Sequence, residues 1–136
     1  MSVVYVETSA LLRLVLEKDP ALEPHFAGDL LTSRLTAVEF ERALRRRPPG
    51  RVPLEEIERM RSRCRKLLRA TREFAVDEEV LQIAAGPFPV EPVRSLDAVH
   101  LASAMVWNKQ VEPVTMLSCD DRVRRNAAAL GLGVVP

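Results

Sequence analysis

The chain has 136 residues, 47% of them hydrophobic, with 20 Lys and Arg against 19 Asp and Glu for a formal net charge of +1. That length supports one hydrophobic core and not two, and the apolar fraction excludes a disordered or uniformly polycationic chain. Cys64 and Cys119 are the only cysteines and neither belongs to a CxxC pair, which excludes a disulfide framework or a thiolate zinc site and suits a reducing cytoplasm.

Val3-Val4-Tyr5-Val6 is a short, continuous, β-rich run that suits a strand covered on both faces. Glu7 ends it, Thr8 and Ser9 offer hydroxyls for a cap, and Ala10 to Leu16 continue as a helix until Asp19-Pro20. The start carries no basic n-region with a long apolar run, and no window reaches the length of a membrane span, so neither a signal peptide nor membrane attachment is expected. After a linker-like stretch with His25 and Gly28, Leu30-Leu31-Thr32-Ser33 reads as a second strand. Leu35, Val38, Phe40 and Leu44 mark a helix with Thr36 as the expected cap and Glu39 in its first turn. Arg45-Arg46-Arg47-Pro48-Pro49-Gly50 breaks that helix in an exposed basic turn.

From Pro53 to about Arg72 the chain reads as a helix, with Leu54, Ile57, Met60, Cys64, Leu67 and Leu68 on one stripe and Arg59, Arg63, Lys66 and Arg69 opposite. Cys64 falls on the apolar stripe and is read as a small core residue. Twelve of the 20 basic residues lie between Arg42 and Arg72, against three acids. Such a run is either a solvated helix face or a handle for a polyanion or acidic partner. Phe74-Ala75-Val76 reads as a third strand, Glu78 to Ala85 as a short helix, and Ser95 onward as a helix that Leu96, Val99, Ala102, Met105 and Val106 make apolar around most of its circumference. Val114 to Cys119 is a fourth strand ending in Asp120-Asp121, a helix follows from Arg122 to Leu130 and stops at Gly131, and Val134-Val135 closes the chain as a short strand. Strands alternating with helices predict an α/β fold in three α/β/α layers, with a central parallel sheet of four to five strands in one domain, 1–136.

Four acids fall at strand ends or helix starts: Glu7, Glu39, Asp97 and Asp120. In a parallel sheet the carboxyl ends of strands and the amino ends of the following helices share one edge, so all four can meet there. Each also has a local explanation. Asp97 can bond free amides of a helix capped by Ser95, Glu39 completes a capping-box pattern with Thr36, and helix dipoles favour acids at both places. If the acids do converge, their repulsion requires a cation between them, and oxygen ligands without His or Cys select Mg²⁺ or Mn²⁺. An ion of that kind suits phosphodiester hydrolysis.

The motifs Tyr5-Val6-Glu7-Thr8-Ser9-Ala10-Leu11-Leu12, Thr36-Ala37-Val38-Glu39-Phe40, Arg94-Ser95-Leu96-Asp97-Ala98-Val99-His100-Leu101-Ala102 and Leu117-Ser118-Cys119-Asp120 resemble, in this order and spacing, those of PIN-domain ribonucleases, and most closely the VapC toxins of bacterial and archaeal toxin–antitoxin pairs. The resemblance covers nearly the whole chain. It implies a PIN-like fold and an Mg²⁺- or Mn²⁺-dependent endoribonuclease with Glu7, Glu39, Asp97 and Asp120 as catalytic acids, of which Glu7, Asp97 and Asp120 hold the ion. It also implies a homodimer, or a heterotetramer or larger assembly with a cognate antitoxin that reaches the acidic site. One position departs from the pattern: Glu7 stands where the family normally has Asp, and the extra methylene moves a carboxylate by roughly 1.5 Å. The alternative is therefore a PIN-fold binding module with a weakened site, acting through antitoxin or RNA. A phosphoacceptor domain of similar size is a third class, but it needs an acid pair where this chain has Glu7 followed by Thr8.

Around the four acids, Thr8 and Ser118 are expected to support the site or to make ordinary strand-end bonds, and Asp121 to share the ion or cap the last helix. His100, one turn beyond Asp97, is either a base or a hydrogen-bonded core histidine. Arg45, Arg46, Arg47 and Arg94 are the expected RNA phosphate contacts, with Arg94 equally available for an ion pair. Tyr5 and Trp107 are too few for base-stacking platforms, so RNA recognition would rest on charge and shape.

Overall fold

The computed structural model describes residues 3–136. Five parallel strands form one sheet in the order β3-β2-β1-β4-β5, with β1 (Val3–Val6) at its centre between β2 (Leu30–Ser33) and β4 (Val114–Leu117). The edges are β3 (Arg72–Phe74) and β5 (Gly133–Val135), each three residues long. Short edges, one of them charged, offer little backbone for unwanted pairing.

Side chains alternate along β1 and divide the core into two layers. Val3 and Tyr5 pack with Leu31, Val114 and Met116 against α5 (Ser95–Gln110) and α6 (Asp121–Ala129). Val6, Leu30 and Leu117 pack on the other face against α1 (Thr8–Val15), α2 (Leu35–Arg45) and α3 (Leu54–Arg69). A short α4 (Glu78–Ala84) covers the outer side of α5 through Val80, Val99, Ala102 and Val106. The expected three-layer arrangement is therefore present, with helices closing both faces of an apolar parallel sheet. Every residue of α5 from Ala98 to Ala104 is buried, as its continuous apolar character requires, and its alanines let the helix lie close to the strands.

Several elements differ from the sequence reading. Residues Pro20–Phe26 form a 3₁₀ helix where a linker was expected, started by Pro20 and by the Asp19 carboxylate accepting from Ala21 N–H. The third strand is Arg72–Phe74 rather than Phe74 to Val76, because pairing with Leu31, Thr32 and Ser33 in β2 decides its register and hydrophobicity does not. α2 begins before Thr36: Ser33 Oγ accepts from Leu35 N–H, while Thr36 is buried and bonds Thr32, so neither the cap nor the capping box forms. Val38 and Leu54, expected on apolar stripes, are 59% and 73% exposed. β4 stops at Leu117, and α6 is capped by Asp120, whose Oδ1 accepts from Val123 N–H, rather than by Asp121. Gly131, at φ +84°, ends α6 in the left-handed conformation that glycine adopts without strain.

Much of the basic run serves the fold. Arg61 joins Glu41 of α2 to Glu58, Arg59 and Lys18 both meet Glu56, and Arg63 reaches Glu23 and the Leu14 carbonyl. Among the described residues no helix is long and apolar enough to cross a membrane.

Candidate active site

β1 and β4 run side by side and end together, with Glu7 N–H donating to the Leu117 carbonyl at 2.9 Å. The next residues therefore leave the sheet at one edge. Glu7 is the N-cap of α1, in extended backbone, and its Oε2 accepts from Ser9 N–H at 2.6 Å; the side chain of the acid itself makes the cap expected of Thr8 or Ser9. Ser118 builds the corresponding turn after β4. Its Oγ accepts from Asp120 N–H and lies 3.3 Å from Ser9 Oγ, which in turn accepts from Cys119 N–H. The two strand ends are thus stapled by a pair of serines that aim Glu7 and Asp120 into the same space.

Asp97 enters from the first turn of α5. Its carboxylate meets Arg94 and takes neither a helix amide nor a cap from Ser95, so local capping does not account for it. Glu39 comes from the second turn of α2, one turn further in than expected. Glu7, Glu39, Asp97 and Asp120 line one open cavity of about 220 Å³ together with Thr8, Ser9, Leu12, Arg46, Arg94 and Leu96. A neighbouring depression shares Arg94, Asp97 and Asp120 and adds Arg122. Leu96, read as part of a buried stripe, is 47% exposed at this rim.

The charges in the cavity are unevenly compensated. Burial pushes the Glu7 carboxyl above its ordinary value against the Ser9 hydrogen bonds, and the charge of Asp97 adds to it. Burial also raises Asp97, with the Asp120 charge acting in the same direction and Arg94 opposing. Glu39 goes the other way. Burial works to raise it, but His100, through its hydrogen bond and the charge its ring carries when protonated, with the Thr8 hydrogen bond and the Arg46 charge, outweighs that and holds it below the usual range. Arg94 spans the two aspartates, with Nε 3.4 Å from Asp97 and Nη2 3.7 Å from Asp120, and its side chain is 83% exposed.

Behind the cavity lies a buried polar chain. His100, fully buried, places Nδ1 2.7 Å from Tyr5 Oη and Nε2 2.5 Å from Glu39 Oε1. Thr8 Oγ1 donates to the same Oε1 at 2.9 Å. Burial raises the Tyr5 phenol well above its ordinary value.

The residue types suit a hard divalent ion: three carboxylates, Glu7, Asp97 and Asp120, with no nitrogen or sulfur among them, of which Glu7 and Asp97 are disfavoured as anions by burial and by a neighbouring aspartate. In their present rotamers no three His, Cys, Asp or Glu side chains among the described residues are grouped to hold an ion, since Glu7 turns back to Ser9 and both aspartates face Arg94.

Of the expected supporting residues, Thr8 lines the cavity, and Ser118 is buried outside its lining, where it bonds Asp120 N–H and meets Ser9. Asp121 is also outside the lining; its side chain is 85% exposed, 3.9 Å from Arg125. Of the expected phosphate contacts, Arg46 and Arg94 line the cavity, whereas Arg45 pairs with Glu41 and Arg47 is outside the lining. The sequence reading did not single out Ser9, Leu12 or Arg122 for the site. Ser9 had a signal, as a hydroxyl in the turn after β1, but its partner at Cys119 is 110 positions away.

Residues 4–129 match the PIN domain family. Ribonuclease VapC35 of Mycobacterium tuberculosis is 32% identical over 138 aligned residues, covering 97% of this chain and 95% of that protein. Among solved structures, VapBC2 from Rickettsia felis, bound to a DNA fragment from its promoter, matches with a TM-score of 0.69 at 9% identity, over 98% of this chain and 97% of the other. A toxin–antitoxin complex from Klebsiella pneumoniae matches with a TM-score of 0.67 at 13% identity, over 98% and 96%. With the acidic edge of a five-stranded parallel sheet and these similarities together, the chain belongs to the PIN-domain family and, within it, to the VapC type.

Proposed function

We propose that this protein is a metal-dependent endoribonuclease and the toxin of a VapBC-like toxin–antitoxin pair. The observation that carries the proposal is the meeting of Glu7, Glu39, Asp97 and Asp120, from four separate elements, in one open cavity with Arg46 and Arg94 on its wall. The relative's name, ribonuclease, and the toxin–antitoxin complexes among the structural neighbours support it.

Glu7, Asp97 and Asp120 would hold Mg²⁺ or Mn²⁺. When bound, the ion polarises a phosphoryl oxygen and lowers the pKa of a bound water. The chain's own residues do the rest. Arg46 and Arg94 attract the RNA phosphates and orient them over the acids. Glu39, held anionic by its hydrogen bonds, is the base that takes a proton from the attacking water. Ser9 and Ser118 keep Glu7 and Asp120 in register as substrate enters. A cognate antitoxin would block this cavity, the toxin would work as a homodimer or in a heterotetramer or larger assembly with it, and the site of action would be the cytoplasm.

The capping bond from Ser9 to Glu7 favours examining the binding-module alternative directly, because it engages one of the carboxylate oxygens an ion needs. Purified protein incubated with RNA and Mg²⁺ or Mn²⁺ should cleave it, Asp97→Asn should abolish cleavage, and Glu7→Asp should preserve or raise it. Absence of cleavage with either ion, and no response to either substitution, would leave only the binding module.

A further inference from the structure

Tyr5 and His100 are 95 positions apart and meet beneath the acidic cavity, edge to face, with ring centroids 5.8 Å apart. Counting protons fixes the direction of the bonds on the Glu39 side of their chain. The Thr32 hydroxyl has one hydrogen, given to the Val6 carbonyl at 2.6 Å, so Thr36 donates to Thr32. Thr8 gives its hydrogen to Glu39 Oε1, and its oxygen lies 3.2 Å from His100 Nε2, where it can share the ring hydrogen as an acceptor. Because Oε1 of a carboxylate can only accept, the 2.5 Å contact with His100 needs a hydrogen on Nε2. On the far side of the ring, Tyr5 Oη lies 2.7 Å from Nδ1 with the Ser33 and Ser103 hydroxyls also at the phenol, and a neutral ring with its hydrogen on Nε2 accepts the phenol hydrogen at Nδ1.

We propose that His100 is a positioning residue for Glu39 and that Tyr5 sets its tautomer. The Tyr5 hydroxyl occupies the Nδ1 lone pair, which keeps the proton on Nε2, and Nε2–H together with the Thr8 hydroxyl pins Oε1. Oε2 is then the oxygen left to the cavity. Both partners of His100 and the ring itself sit on rigid elements, β1, α2 and α5, so the carboxylate is fixed by packing as well as by hydrogen bonds. The mirror tautomer would set the Nε2 lone pair against the Glu39 anion and expel the side chain from its place. This inference rests on the assignment of Glu39 to the nuclease site, and its test has an arm independent of nuclease activity.

In protein labelled with ¹⁵N at histidine, long-range ¹H–¹⁵N correlation at neutral pH should show His100 with the hydrogen on Nε2 and an unprotonated Nδ1. A hydrogen on Nδ1, in either the neutral or the charged ring, overturns the proposal. Tyr5→Phe removes one oxygen from a buried ring and should convert that signature to a tautomer mixture, with the fold retained by circular dichroism. It should lower kcat for RNA cleavage by about 10- to 100-fold, the usual cost of losing an outer-shell partner, with KM changed less than about 2-fold. In the His100→Gln background the amide N–H supplies the donor without any tautomer to set, so adding Tyr5→Phe should cost nothing further. An unchanged signature in Tyr5→Phe, or the same loss of kcat in both backgrounds, refutes the tautomer role. If the wild type cleaves no RNA, the nuclease reading falls, and the tautomer measurement still decides whether Tyr5 and His100 hold Glu39 in this way.

Discussion

Arg94 is the cation that stands where a divalent ion would be needed, and replacing it measures how strongly it competes. Its contacts with Asp97 and Asp120 are 3.4 and 3.7 Å long. Two unit charges at such a distance attract by about 1 kcal/mol in water, and a guanidinium that is 83% exposed warrants no larger figure. Losing both contacts removes roughly 1–2 kcal/mol that an entering ion must overcome, and 1.4 kcal/mol is tenfold in affinity. Arg94→Gln should therefore tighten Mn²⁺ binding by about 5- to 30-fold in low-salt titration calorimetry, with the gain shrinking as salt screens the exposed pair. On the proposed function, RNA association should weaken in the same variant, because a cation that would attract phosphate is removed. Asp97→Ala, which lacks one of the three proposed ligands, supplies the baseline. Unchanged or weaker Mn²⁺ binding in Arg94→Gln would show that Arg94 is not a competing counter-ion, and the account of charge balance in the cavity would fail with it.

Glu7 carries a pH dependence whose sign can be worked out. Burial raises its carboxyl in the folded state, so the folded chain holds the proton more tightly than the unfolded one and stability falls as pH rises from the ordinary value through the folded one. Glu7→Gln keeps an oxygen to cap α1 and removes the buried charge; its Tm at pH 7 should exceed that of the wild type, with the advantage vanishing below the ordinary glutamate pKa, and a lower Tm at pH 7 would contradict this. Cys64 is buried on the α3 stripe and its thiol is pushed up to about 12 by burial, so it should resist a thiol reagent at pH 8 in the native protein and react only on unfolding. Rapid labelling of Cys64 under native conditions would count against that packing. Leu101 is fully buried between α5 and the sheet, and Leu101→Ala should cost about 2–5 kcal/mol in urea unfolding. A loss below about 1 kcal/mol would mean that the site collapses around the missing side chain.

The amino-acid sequence by itself determined β1, β2 and the buried α5, because continuous apolar runs and helical periodicity encode burial locally. It also placed four acids at the edge where they are found, since alternation of strands and helices implies a parallel sheet and a parallel sheet gathers strand ends. Tertiary structure decided what periodicity does not carry. Pairing with β2 drew β3 back to Arg72–Phe74, the early start of α2 took Thr36 out of the cap and into a buried bond with Thr32, and Arg94 came to span acids three and 26 positions along the chain. The bond from Tyr5 to His100 belongs to the same class. Each depends on backbone groups or side chains that come within bonding distance only once the sheet has brought distant segments together, and no local pattern records such a distance.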